Sequence, residues 1–189
     1  MGTDTTVLRG ADSTDANELP SGLEFYCYYT AGIYANEAAV RKNFPRKLYV
    51  GITAIPGNIT GADVIDMESG AWTAEQVRAY LPKMEPPNLN LPGIYCSADN
   101  VGKLEGIPRN LYYLFQADWD GITAVPRGAD LAQYADKGSY DLDVAYAYVF
   151  RKPVVAFPAH QTGVVHSTTT GGSANVITDD GGRTWVYAP

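Results

Sequence analysis

Ala62-Asp63-Val64-Ile65-Asp66-Met67-Glu68-Ser69-Gly70-Ala71-Trp72 is the stretch from which the rest of the chain can be read. It opens as an apolar strand, Val64-Ile65, and then sets two carboxylates, Asp66 and Glu68, two residues apart. In an extended strand residues i and i+2 point to one face. Asp66 and Glu68 are therefore expected to project together, where the strand ends and a helix begins at Thr73. Paired acids repel and raise one another's pKa. A chain tolerates that most readily where the pair does chemistry, with one carboxyl kept protonated as a proton donor beside a second carboxylate. The plain structural alternative is a solvated strand end. The surroundings of the pair decide between the two.

Working outward, residues 73–84 carry the strongest helix signal in the chain. Thr73 is placed to cap, Gln76 stands in the capping-box position, Val77 and Leu81 share a face, and Pro86-Pro87 stops the run. Before the central stretch, residues 7–13, 23–30 and 48–53 read as strands, the second rich in aromatics, with a crossover helix over 36–44 that ends before Pro45. After it, residues 92–97, 111–119, 130–134 and 141–146 read as strands, with a short helix over 98–104. Eight strands alternating with helices or short loops predict an α/β fold, a mainly parallel sheet closed into a small (β/α)8 TIM-like barrel. A typical barrel of that kind has about 250 residues, so several crossovers must be shortened to fit residues 1–150. An open doubly wound sheet is the other fold considered. The absence of a glycine-rich loop after the first strand counts against its nucleotide-binding form.

Beyond Phe150 the composition changes. Residues 151–189 lack helical periodicity and are rich in Thr, Gly, Ser and Val, so a β-rich tail is expected. Within it, Thr178-Asp179-Asp180-Gly181-Gly182-Arg183-Thr184-Trp185 resembles the Asp-box pattern Ser/Thr-x-Asp-x-Gly-x-Thr-Trp, a turn between antiparallel strands seen in sialidase-type propellers. A single copy implies a β-hairpin appendage.

Composition narrows the function. A net charge of -7 speaks against a nucleic-acid surface, which is built on Lys and Arg. Cys27 and Cys96 form no disulfide framework, and His160 and His166 have no partners at metal spacing, so neither a metal nor a cofactor is expected. No signal-peptide pattern or membrane-length apolar run occurs, so no membrane partner is expected, and the product is expected to be made in the cytoplasm and delivered by other means.

In a barrel of this type catalytic groups belong at the C-terminal ends of strands. The residues expected there include Asp12, Tyr28, Asp66, Glu68, Tyr95, Ser97, Asp118, Trp119, Gln133, Tyr134, Asp141 and Asp143. This is an acid-lined mouth with aromatic walls and no Lys, His or Cys. It suits a carbohydrate, with carboxylates for proton transfer and rings for stacking. It does not suit an acyl-transfer triad.

Gly10-Ala11-Asp12-Ser13, Asp66-Met67-Glu68 and Tyr140-Asp141-Leu142-Asp143, in that chain order, resemble the first-strand, fourth-strand and last-strand motifs of the family 25 glycoside hydrolases, the lysozymes of phages and bacteria. Ile94-Tyr95-Cys96-Ser97, Phe115-Gln116-Ala117-Asp118-Trp119 and Gln133-Tyr134 resemble the intervening ones. The chain is similar also to the reduced glycoside-hydrolase-like barrels of actinobacteria and their phages. The resemblance spans roughly residues 7–149. It implies cleavage of peptidoglycan, with Glu68 as acid/base, Asp66, Asp12 and Asp141 as its catalytic companions, and Tyr28, Tyr95, Trp119, Gln133 and Tyr134 as substrate-binding groups. The partners implied are cell-wall glycan and, through the tail, other virion subunits. Two further readings stand beside it: a structural protein of a phage particle that reuses the barrel without turnover, and a glycan-binding module.

Overall fold

Strand alternation decides which side chains fill the molecule. In the computed structural model, which describes residues 5–68, 71–151, 175–178 and 184–187, the chain divides into two compact units, Met1–Lys152 and Pro153–Pro189. The first unit contains β1 (Val7–Asp12), β2 (Phe25–Tyr29), α1 (Glu37–Asn43), β3 (Leu48–Thr53), β4 (Val64–Asp66) and α2 (Ala74–Tyr80). It continues with β5 (Gly93–Ser97), β6 (Tyr113–Ala117), β7 (Leu131–Asp136) and β8 (Asp141–Tyr146). These eight strands form a closed barrel in sequence order.

Strands β1 to β7 run parallel, each beside the next. The eighth is reversed: β8 is antiparallel to both β7 and β1. The sheet is mainly parallel, as expected, but mixed, whereas a (β/α)8 barrel has every strand parallel. Only four residues, 137–140, join β7 to β8, and a parallel crossover needs a dozen or more. Those four make a hairpin, with Gly138 at φ 85 taking the left-handed position. Helices are sparse. Two α-helices occur among the described residues of this unit, and the remaining connections are loops or short 3-10 turns, including Ala98–Leu104 and Leu81–Lys83.

The second helix begins as its residues dictate. Thr73 Oγ1 accepts from the Gln76 N–H at 3.3 Å, and Gln76 Oε1 accepts from the Thr73 N–H at 2.9 Å. It gives way after Tyr80 to a 3-10 turn containing Pro82, earlier than the Met84 expected, because proline has no N–H for the helical ladder.

Inside the barrel, Phe25, Cys27, Val50, Ile52, Val64, Tyr95, Phe115, Leu131 and Ala145 pack together, with Leu89 and Phe150. Leu89 and Phe150 also bridge one another and close the end where the parallel strands begin. Gly10 is required in β1, since a Cβ there would sit 2.3 Å from two ring carbons of Phe25, which is fully buried. Outside the barrel, α1 covers Ala11, Tyr26 and Tyr28 through Val40, while α2 and its flanks cover Ile65, Ile94, Cys96 and Leu114. Cys27 and Cys96 are both free and buried.

In the second unit β9 (Asn175–Thr178) pairs antiparallel with β10 (Thr184–Tyr187), with Thr178 opposite Thr184. The Asp-box turn residues 179–183, and His160 and His166, lie outside the described residues. Among the described residues no helix is long and apolar enough to cross a membrane.

Candidate functional site

Because β8 is reversed, its first residues reach the same end of the barrel as the last residues of β1 to β7. Asp141 opens β8 and lies directly across from Asp12, the last residue of β1. Two places further on, Asp143 points to the same interior face and is flanked by Gly10 on β1 and Gln133 on β7. From the far side of the ring, β4 contributes Asp66 at its tip. Glu68 lies just beyond the strand, not within it. It stands in a turn in which the Glu68 N–H donates to Asp66 Oδ1 at 3.0 Å, and it lines neither of the two clefts there. Its charge bears on Asp66 beside it, Tyr95 on β5 and Asp141 across the mouth.

Five carboxyls thus share one end of the barrel. The base is lined by Asp12, Tyr29, Ile52, Asp66, Tyr95 and Gln133 and has room, about 10 Å³, for one water. A larger groove of about 210 Å³ adjoins it between the end of β1 and the β7–β8 hairpin, lined by Asp12, Ser13, Thr14, Tyr29 and residues 136–141 of the hairpin, Lys137 excepted. Ser13 ties these two walls together by donating to the Ser139 carbonyl at 2.7 Å. Asn36 fixes the neighbouring rim, donating to the Ser13 carbonyl at 2.8 Å and accepting from the Tyr29 N–H at 2.9 Å.

The electrostatics follow from burial without cations. Neither cleft is lined by Lys or Arg. The ion pairs among the described residues lie elsewhere, at Arg9–Glu24, Arg41–Glu37 and Arg109–Asp130. Desolvation, with Glu68 adding repulsion, pushes Asp66 up to about 7. Desolvation and the charge of Asp141 push Asp12 up to about 7, against a lowering hydrogen bond from Gln133. Asp141, more open, rises to about 6 through desolvation and then Asp136 and Glu68. Asp143 is fully buried and is pushed well above the carboxylate range, first by desolvation and then by Asp12.

Not every expected substrate-binding residue is available there. Tyr95 and Gln133 reach the mouth, but they serve Asp12. The Tyr95 hydroxyl donates to Gln133 Oε1 at 2.7 Å, and Gln133 Nε2 donates to Asp12 Oδ2 at 2.7 Å. Tyr28 turns away and packs against α1, its hydroxyl accepting from Arg41 at 3.0 Å, because alternation from Phe25 sends residue 29 inward instead. Tyr134 sits at a register shift in β7 and packs against the outer cluster. Trp119 stands on the loop after β6, 50% exposed, and lines neither cleft. Asp118 is exposed. Tyr29 was not among the residues expected at the mouth, because the barrel alone sets the phase of β2, and Asp143 was left outside the expected catalytic set although it repeats the i, i+2 acid spacing inside a true strand.

The acid of the central stretch that serves the fold is Asp63. It accepts from the N–H groups of Gly51, Asn88 and Leu89 and from the Asn88 amide, at 2.7 to 3.1 Å, and anchors the chain that crosses the closed end. Among the described residues no group of three or more His, Cys, Asp or Glu is arranged to hold a metal ion.

Fold and site together define a closed, mixed eight-stranded barrel with a carboxyl-lined mouth that, among the described residues, no Lys or Arg lines. Comparison with protein-family models, with curated proteins and with solved structures finds no match.

Proposed function

We propose that this mouth is the acid/base site of a glycosidase-like domain, on a (β/α)8-type barrel whose crossovers are reduced, and that it acts on bacterial cell-wall glycan. The observation that carries the reading is the convergence of Asp12, Asp66, Glu68, Asp141 and Asp143 on one end of the barrel, with no cation lining it. Carboxyls gathered without counter-charge cost stability, and glycosidic bond cleavage is a chemistry that uses them. Glu68, in the turn beyond β4, is assigned to the glycosidic oxygen, since its charge acts on both Asp66 and Asp141. Asp66 beside it and Asp141 across the mouth flank the position where positive charge develops on the sugar. These two ionise near 7 and near 6, so their stabilising charge grows as pH rises toward neutrality.

The test is loss of turbidity and release of reducing ends from purified cell walls, actinobacterial and other, by the wild type and by Glu68→Gln. The expected result is activity that falls on the order of 10²–10⁴-fold in Glu68→Gln, the usual contribution of a general acid or base. Activity equal in both proteins would remove Glu68 from the mechanism.

One observation favours a second reading, a structural protein of a phage particle that reuses the barrel without turnover. The base of the mouth is only the size of a water, and Asp12, Gln133 and Tyr95 already satisfy one another there. Absence of activity in the wild type, on intact walls and on isolated glycan, is the outcome that this reading expects.

A further inference from the structure

Asp143 is the one place among the described residues where a buried side-chain oxygen has no hydrogen-bond partner of the ordinary kind: its Oδ1 is unpaired. The residue is wholly buried, and its sheet neighbours cannot help. Gly10 has no side chain, and Gln133 has committed both ends of its amide to Tyr95 and Asp12. The Cys27 thiol reaches only Oδ2, at 3.6 Å. What remains beside Asp143 is the Asp12 carboxyl, two places along β1 from the Gly10 that Asp143 faces and the natural partner for a side-chain hydrogen bond. Two ionised carboxylates are acceptors only, so such a bond requires a proton on one of them.

We infer that Asp143 and Asp12 share a single proton at the base of the mouth, and that Asp143 is a positioning residue which, with Gln133, holds the Asp12 carboxyl toward the site. Protonation turns the unpaired oxygen into a donor and removes the cost of burying a second bare charge. The other titratable groups around the pair are Cys27 and Tyr29 on β2, Asp66 on β4, Tyr95 on β5, Tyr134 on β7 and Asp141 on β8. None of them supplies positive charge, so nothing nearby drives the shared proton off. Burial holds Asp143 well above the carboxylate range, and Asp12 titrates at about 7, so the pair keeps one proton through neutrality. The bearing on catalysis rests on the carboxylate-site reading above, whereas the shared proton does not.

The experiment is a pH titration of the full chain, labelled with ¹³C at the Asp side-chain carboxyls, followed by NMR and assigned with Asp143→Asn and Asp12→Asn. One carboxyl signal, absent from Asp143→Asn, is expected to stay at its protonated position across neutrality, while Asp12 titrates near 7. Asp143→Asn keeps a donor against Asp12 and leaves that midpoint in place. Asp143→Leu removes the donor and moves the midpoint up, which a merely space-filling role would not do. The inference is overturned if both carboxyls ionise together below neutrality in the wild type, or if added sodium or calcium shifts them together and so shows a cation between them. It is also overturned if the Leu variant leaves the midpoint unmoved. Should that variant not fold, the wild-type titration decides alone. A shared proton in a protein without glycosidase activity would uphold the pair and sink the glycosidase reading, so the two fail separately.

Discussion

Asp12 and Asp66 are carboxyls that the fold keeps neutral far beyond the pH at which an unfolded chain would release their protons, and this has a definite sign. Both are raised from 3.8 to about 7, chiefly by burial. Between those values the native state binds more protons than the unfolded state, so stability falls as pH rises through the window and levels off above it. The part these groups contribute is fully present at the acid end. We expect the urea midpoint to decline from pH about 4 to about 7, and Asp66→Asn to flatten that decline. A shift of this size in one buried group corresponds to a few kcal/mol at most. A midpoint that climbs over the same range would show these acids to be ionised in the native barrel. At this scale the sequence was informative about identity and less so about environment. Asp12, Asp66, Glu68 and Asp141 are all found at the mouth, but the i, i+2 argument was applied to a strand that ends at Asp66. The same spacing at Asp141 and Asp143 lies wholly within β8 and carries one acid deep enough to lose its solvent.

At the scale of elements, β1 and β2 show how closely the strands are fitted. Gly10 stands on β1 opposite Phe25 on β2, and the Phe25 ring occupies the volume that any side chain at residue 10 would need. Gly10→Ala is expected to destabilise the protein by about 1–3 kcal/mol, as overpacking does. Phe25→Leu in the same chain should recover part of that loss, because the two changes share one space. Strictly additive effects in denaturant unfolding would contradict this account. Local signals read from the sequence held where the chain supplies its own partners, as in the Thr73–Gln76 capping box. The reversal of β8 was not read, although the four residues that join it to β7, Gly138 among them, are too few for a parallel crossover. The inward choice of Tyr29 over Tyr28 was not settled by composition, because both are tyrosines and only the barrel phase distinguishes them.

At the scale of the whole molecule, every strand pairing of the barrel and each of its buried clusters lies within Met1–Lys152. A chain ending at Lys152 is therefore expected to unfold cooperatively with the barrel's near-ultraviolet signature intact, which circular dichroism would check. Loss of that signature would make residues 153–189 part of what stabilises the barrel. The sequence by itself determined the number and order of the strands, the helix start at Thr73, and the presence of acids near strand ends. Those depend on spacing, capping and turn residues, which act over a few positions. Only the tertiary structure decided that β4 and β8 bring their acids to one mouth. It alone decided that Asp143 lies beside Asp12 under a mouth that, among the described residues, no Lys or Arg lines. These arrangements join residues far apart in the chain, and their energies come from burial and field, which no local pattern in the chain encodes.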